Sequence, residues 1–365
     1  MKALKSISVL AIVLGLGSAG RCYEIKTENF GLMEVNGVLS GYSITGNKIN
    51  QEAKKSRTDL GSALISFSKK AEPVGFTLTG GTYSFPTLGV DLSKSSEYTD
   101  LFSPLPVAYL EANFFKNFSL SIGRMGTLIG YEAPFTFQNS YIQRGLVWNM
   151  QPVFHHGLRL SYNGEKLSFK IGLNDGYFSL GVDSFRKEGK STRKFSSTLE
   201  TSLSLSLFKD LLLSFNLLVP DKDAYPNEAA FPSNKRQYNF VLSYTKSPFS
   251  LSLDQVFVEA PKSKKAQVSD KAQAYGTALH LSYEKTPFKF STRLEYVKDK
   301  KDKGFIDLVG LGNKNEALSF TLSPGYYKSS FFARIELSYL KAKEEFTYKP
   351  KDHQTRLGFE LGFKF

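Results

Sequence analysis

The chain has 365 residues, 41% of them apolar, and a net charge of +13. That length suits one large β domain or two medium soluble ones, and a single cysteine excludes a disulfide framework. With only four histidines besides, there is little material for metal or nucleophile chemistry.

At the N-terminus, Lys2 and Lys5 precede an apolar run from Ile7 to Leu16 that closes in Gly17, Ser18, Ala19 and Gly20. This is the pattern of a secretory leader, and its core of about ten residues falls well short of the ~20 that span a bilayer as a helix. Small residues stand three positions before Gly20 and Cys22, so cleavage is expected after one of them. Residues 1–22 are assigned to the leader and 23–365 to a single domain. A lipidated Cys22 is disfavoured because Arg21 stands where a lipoprotein signal has a small residue. Export argues against nucleic acid as a partner; a basic exported chain meets lipopolysaccharide phosphates or anionic solutes instead. No later run of ~18 apolar residues could form a membrane helix, so a membrane role requires a barrel.

Beyond the leader, apolar residues alternate with small or polar ones over stretches of ~9 to 11 positions, as in strands with two different faces. Leu167, Phe169, Ile171 and Leu173 alternate with Ser168, Lys170 and Gly172, and the pattern recurs at 199–207, 211–219, 238–244, 275–283, 288–296, 331–339 and 357–365. Leu212, Leu218, Val241 and Phe332 are exceptions on the polar face. Tight turns near 116–117, 163–164, 209–210, 246–248, 285–287 and 327–330 alternate with long polar connections at 46–57, 86–104, 127–153, 177–193, 220–236, 261–271, 298–315 and 341–352. Short turns at one end and long loops at the other describe the two rims of a transmembrane barrel. Counting from 33–45 to 353–365 gives sixteen strands in eight hairpins, with 14 or 18 left open by weaker alternation in the first four. The expected fold is therefore all-β, a transmembrane antiparallel up-and-down β-barrel.

A soluble β-sandwich also alternates, and three features separate the two. Aromatic residues flank the tight turns at Phe114 and Phe118, Tyr244 and Phe249, Tyr283 and Phe288, and Tyr326 and Phe331, as in an interfacial girdle. The polar face carries charges of both signs: Arg159, Lys170, Lys289, Arg293, Arg334, Arg356 and Lys364 against Glu111, Glu200, Asp254, Glu284, Glu295, Glu336 and Glu360. All of these except Lys364 are taken as candidate lumen-lining residues. Finally, Leu357, Phe359, Leu361, Phe363 and the terminal Phe365 form a strand of the kind read by the outer-membrane insertion machinery.

The longest connection, 127–153, has few charges and many groups able to pack. It is expected to fold inward and narrow a pore through Tyr131, Glu132, Phe135, Tyr141, Arg144 and Trp148, unless it covers the outer mouth or meets a neighbouring subunit.

The segment from Gly123 to Gly176 resembles the OmpL-like β-barrel porin family. The likeness rests on Gly123, Thr127-Leu128-Ile129-Gly130-Tyr131-Glu132, Asn139-Ser140, Pro152-Val153-Phe154-His155-His156-Gly157, Tyr162 and Asn174-Asp175-Gly176. His156, where the family pattern has Thr, and the region of Asn174 depart from it. These motifs cover about a seventh of the chain. The resemblance implies an outer-membrane porin and supplies no catalytic residues.

Other chemistry is poorly supported. Neighbouring His155 and His156 point to opposite faces of a strand and cannot readily share a tetrahedral ion. Asp221 and Asp223 lack the glycine and further carboxylates of a calcium loop. His353 with Thr355, and His280 with Ser282, share strand faces, but no third catalytic residue can be named. The expectation is a cofactor-free, non-enzymatic porin of the cell outer membrane, as monomer or homotrimer, passing small hydrophilic solutes with some anion preference and surrounded by membrane lipid and lipopolysaccharide. The alternative is a non-conducting barrel acting as a surface adhesin or structural tether through its long loops.

Overall fold

The computed structural model describes residues 23–27, 31–47, 56–177, 197–224, 232–300, 306–312, 315–345 and 352–365. The leader with Cys22, and the basic stretches at 48–55, 186–194 and 301–303, lie outside the described residues. The strands are β1 (Tyr23–Thr27), β2 (Gly31–Gly46), β3 (Ser56–Lys69), β4 (Val74–Tyr83), β5 (Val107–Phe115), β6 (Phe118–Gly126), β7 (Phe154–Asn163), β8 (Leu167–Asn174) and β9 (Thr198–Phe208). They continue as β10 (Leu211–Pro220), β11 (Arg236–Lys246), β12 (Phe249–Ala260), β13 (Ala272–Lys285), β14 (Phe288–Asp299), β15 (Glu316–Lys328), β16 (Phe331–Ala342) and β17 (His353–Lys364).

Each strand from β2 onward pairs antiparallel with the next, and β17 returns to β2, with Lys364 opposite Val38 and Arg356 opposite Gly46. The result is a closed barrel of sixteen strands, the number read from the alternation. Closure leaves no edge with unpaired backbone groups, which is what a sheet surrounded by hydrocarbon requires. The short β1 stands outside the sixteen. It pairs with Gly31 to Val35 of β2, beyond the point where β17 ends, and sets the Tyr23 ring 6.1 Å from Phe365. At five residues it is too short for alternation to announce it.

Residue parity decides which side of the wall a side chain occupies. Leu167, Phe169 and Leu173 are exposed on the outer face of β8, while Ser168 and Asn174 are buried on the inner face. The four apolar exceptions Leu212, Leu218, Val241 and Phe332 are all buried inside. Near the short-turn rim the aromatic rings meet across strands, Phe249 with Tyr283 at 5.1 Å and Phe288 with Tyr326 at 5.6 Å. A second row near the long-loop rim pairs Tyr238 with Phe257 and Tyr275 with Tyr296, each at 6.0 Å. Phe249 and Phe257 are separated by eight residues, about 27 Å along the strand and roughly 20 Å after strand tilt, close to the height of an apolar membrane band.

One connection contains regular structure that the sequence reading did not foresee. Between β4 and β5 the chain forms the helix α1 (Ser95–Phe102), anchored because Asp59 on the inner face accepts from the Ser95 amide at 2.9 Å and from its hydroxyl at 2.8 Å.

The parity makes a direct prediction. Phe169→Arg turns a cation into hydrocarbon, at a cost of about 2 to 4 kcal/mol at the midplane and less toward either rim, whereas Ser168→Arg points inward. Folding yields into liposomes should fall for the first and hold for the second; equal tolerance would contradict the assigned facing.

Candidate functional site

The connection 127–153 between β6 and β7 crosses the barrel interior. It has no sheet ladder of its own, so its backbone groups need other partners, and inward side chains of the wall supply them in succession. Glu200 of β9 accepts from the Thr127 hydroxyl (2.7 Å) and the Leu128 amide (2.8 Å). Asn239 of β11 accepts from the Gly130 amide, and Asp254 of β12 from the Tyr131 amide at 3.1 Å. Further along, Glu336 of β16 takes the Ile142 amide at 2.5 Å and the Gln143 side chain at 2.7 Å, while Glu295 of β14 takes the Val147 amide at 3.1 Å.

Wall arginines on the same inner face bind the segment as well. Arg293 pairs with Glu132 and with Glu295 (3.0 Å), donates to the Gln143 carbonyl and stacks its guanidinium over Tyr141 at 4.6 Å. Arg334 pairs with Glu360 and donates to the carbonyls of Thr136 and Asn139. Arg356 donates to the Gln143 side chain (2.9 Å) and to the carbonyls of Thr87 and Val90. The segment folds on itself through Asn139, which caps Ala133 and Phe135, and through 3₁₀ turns at Thr136–Gln138 and Trp148–Met150.

All six residues named from the sequence for this segment sit inside the barrel. Tyr131 lies 4.4 Å from the His280 ring, Phe135 packs edge-on to Tyr83, and Trp148 lies against Phe85. Arg144 is wholly buried, with only its Nε bonded, to the Pro134 carbonyl; desolvation pushes its guanidinium down to about 10 while Glu132 opposes the shift. Two glycines make the approach possible: a Cβ at Gly145 would stand 2.1 Å from Glu295, and one at Gly276 of β13 would stand 2.5 Å from Met150.

The wall residues named from the sequence divide into two groups. Glu200, Asp254, Arg293, Glu295, Arg334, Glu336, Arg356 and Glu360 are sealed beneath the crossing segment and its neighbours. Arg159 bridges Glu200 (3.1 Å) and the Gly126 carbonyl, where the segment leaves the wall. Glu284 and Lys289 pair at 3.3 Å near the short-turn rim. Glu111 accepts from Ser121, and Lys170 makes no ion pair among the described residues. Around these last two, the inward side chains Ser66, Thr77, Thr79, Ser202 and Ser204 are half-buried rather than sealed.

These observations coincide with one family. Over residues 33–365 the chain matches the family described as putative beta-barrel porin-2, OmpL-like. It belongs to that family. Among solved structures, OmpT of Vibrio cholerae superposes with a TM-score of 0.60 at 12% identity, over 94% of this chain and 100% of that one. The outer membrane channel DcaP of Acinetobacter baumannii gives 0.57 at 11% identity over 93% and 99%, and the anion-selective porin from Comamonas acidovorans 0.57 at 12% over 91% and 99%. At these identities the likeness is one of fold. No curated protein matches the chain by sequence.

Sequence reasoning missed part of the porin's interior. Inward positions of β12 to β16 near the long-loop rim are apolar, and Val256, Val258, Val297 and Leu340 form a dry core with Leu88, Leu146, Met150, Val309 and Leu311 from the connections. A signal existed: the inward positions Val256, Val258 and Ala260 of β12 are all apolar, which a water-lined wall would not require. Asn239, Gln143 and Asn139 carried no such signal, because their roles depend on backbone groups far away in sequence.

His155 and His156 do occupy opposite faces. The first is buried with Nδ1 3.1 Å from the Gly176 carbonyl and Nε2 3.6 Å from Glu200; the second is partly exposed beside Asp175 at 3.5 Å. Asp223 accepts from Ser263 at 2.7 Å and faces Lys265 at 3.7 Å.

Removing one member of a buried ion pair leaves the other charge uncompensated, at about 3 to 5 kcal/mol, whereas replacing both by apolar groups costs far less. Arg334→Leu should therefore lower the denaturant midpoint of the folded barrel strongly, and Arg334→Leu with Glu360→Leu should recover part of the loss. Equal midpoints for the single variant and the parent would show that this pair does not hold the segment.

Proposed function

We propose that the protein is an outer-membrane porin through which small hydrophilic solutes diffuse passively, along the half of the lumen that segment 127–153 leaves free. The observation that carries this reading is the division of the inner wall. Against β9 and β11 to β17 the wall is bonded to the segment and buried beneath it; near Glu111 and Lys170, Ser66, Thr77, Thr79, Ser202 and Ser204 on β3, β4 and β9 remain half-buried, while Ser119, Ser121, Ser161 and Ser168 on β6 to β8 close the same side more tightly. A barrel of sixteen strands is wide enough that wall side chains alone do not fill it. The crossing segment then sets the width of the path. Family membership supports the porin reading and the location in a Gram-negative outer membrane, with the short turns periplasmic and the long loops extracellular.

A modest anion preference belongs to the same proposal. Arg159 is neutralised by Glu200, Lys170 faces the free half-lumen with no ion pair among the described residues, and lysines crowd the extracellular connections, as at Lys262, Lys264 and Lys265. Positive charge at a mouth raises local anion concentration over about 10 Å at 0.1 M salt but only about 3 Å at 1 M. A homotrimer fits the outer faces of β2 to β4, where Gly41, Ser43, Thr45, Thr58, Gly80 and Thr82 stand among fewer large apolar residues than elsewhere. One solved form of Vibrio cholerae OmpT is a trimer.

The dry core at the extracellular end favours a second reading, a narrow or non-conducting barrel whose loops serve as adhesin or tether. Planar-bilayer recording separates the two. Deleting residues 133–143 should raise single-channel conductance in correctly folded protein, and an unchanged value would remove the crossing segment from the path. Lys170→Glu should move the reversal potential under a salt gradient toward cation preference, more at 0.1 M than at 1 M salt. No movement at either salt would dismiss this lysine as a source of selectivity.

A further inference from the structure

A groove of about 560 Å³ runs along the outer wall between β9 and β13, within the ~300 to 1,000 Å³ typical of ligand sites. Its walls are Leu203, Phe215, Tyr238, Phe240, Phe257 and Tyr275, all of outward parity, with Phe215 and Phe240 edge-to-face at 5.2 Å. If the barrel is embedded as proposed above, this groove opens toward the outer leaflet, because Tyr238, Phe257 and Tyr275 belong to the row nearest the long loops.

Two features distinguish it from plain lipid-facing wall. Gln255 and Thr277, directly paired across β12 and β13, turn their side chains into it. Neither side chain bonds to another described group. They lie about four residues below the level of Arg236 and Glu259, roughly 13 Å along the strand. An amide facing hydrocarbon is costly unless something at that depth accepts or donates a hydrogen bond. Above the groove stand Arg236, whose Nε has no partner, and Lys300, whose ammonium lies 5.7 Å from the Phe257 ring. The nearby carboxylates are already engaged, Glu259 by Lys271 (2.7 Å) and Gln273 (2.9 Å), and Glu316 by Lys298 (3.1 Å).

We infer that this groove is a binding site for one phosphorylated, hydroxyacylated glycolipid of the outer leaflet, the lipid moiety of lipopolysaccharide. Its acyl chains fill the aromatic channel, its hydroxyl or amide groups meet Gln255 and Thr277, and a phosphate sits between Arg236 and Lys300. Charge complementarity selects this occupant over a second copy of the chain, whose outer-wall carboxylates at the level of Arg236, those of Glu259 and Glu316, are already engaged by Lys271 and Lys298.

The test uses the full folded barrel in detergent, incubated with purified lipid A and examined by native mass spectrometry. One adduct per chain is expected for the parent, with binding weakened roughly tenfold by Arg236→Glu combined with Lys300→Glu, since each cation near an anionic surface contributes a comparable share. Gln255→Leu should weaken it less, and Lys246→Glu at the opposite rim should leave it unchanged. Phosphatidylglycerol, which has one phosphate and no hydroxyacyl groups, should compete poorly. Equal adduct in the double variant, or equal competition by phosphatidylglycerol, would overturn the site. So would a changed oligomeric state with lipid retention intact, which would make the groove a protein contact. Conductance of the same preparations reports on the porin reading separately.

Discussion

The pairing of β17 with β2 is the constraint on which everything else rests. Nine residue pairs, from Arg356 opposite Gly46 to Lys364 opposite Val38, convert an open sheet into a cylinder. Without them two edges would offer unpaired amides and carbonyls to hydrocarbon, at several kcal/mol for each buried group. Closure also fixes an inside and an outside, so that period-two alternation becomes a division between lipid and lumen. The small β1 continues the line of β17 along β2 and places the start of the described chain beside its end.

Once the cylinder is closed, its interior poses a second problem. The inner wall carries ionised side chains, and segment 127–153 displaces water from many of them. Such groups are tolerable only when paired or hydrogen-bonded. The segment and the wall solve this reciprocally: wall carboxylates accept amides that have no ladder, and wall arginines donate to carbonyls that have none. The same contacts hold the segment against the inner wall in one place. Inward Ser66, Thr77, Thr79, Ser202, Ser204 and Lys170 take no part in these contacts.

Particular elements show how far the sequence could be read. β8 alternates strictly, and β14 does so from Phe288 to Tyr296 but for Thr292, so their facing and turns follow from that alone. The even count of sixteen followed from pairing tight turns with long connections. β1 and α1 were not legible, the first for its brevity and the second because eight residues between prolines give no amphipathic repeat to recognise. For 127–153, composition was enough to indicate burial: aromatic residues with few charges do not suit a solvated loop. Its partners were not indicated. Glu336 looked like one of several charges on a polar face, and nothing nearby in the chain says that the amides of Ile142 and Gln143 meet it.

The sequence by itself determined the barrel, because a period of two with one apolar face has few stable solutions, and closure is the one compatible with lipid on the outside. It also determined which side chains face inward, since parity is a property of the strand. Which of those inward groups meet water was decided only by the tertiary structure. That depends on where a connection folds back across the cylinder, and so on hydrogen bonds between residues more than a hundred positions apart, such as Gly130 with Asn239 and Tyr131 with Asp254. Local pattern carries no record of such pairings, so the line between buried ion network and open path could be drawn only in three dimensions.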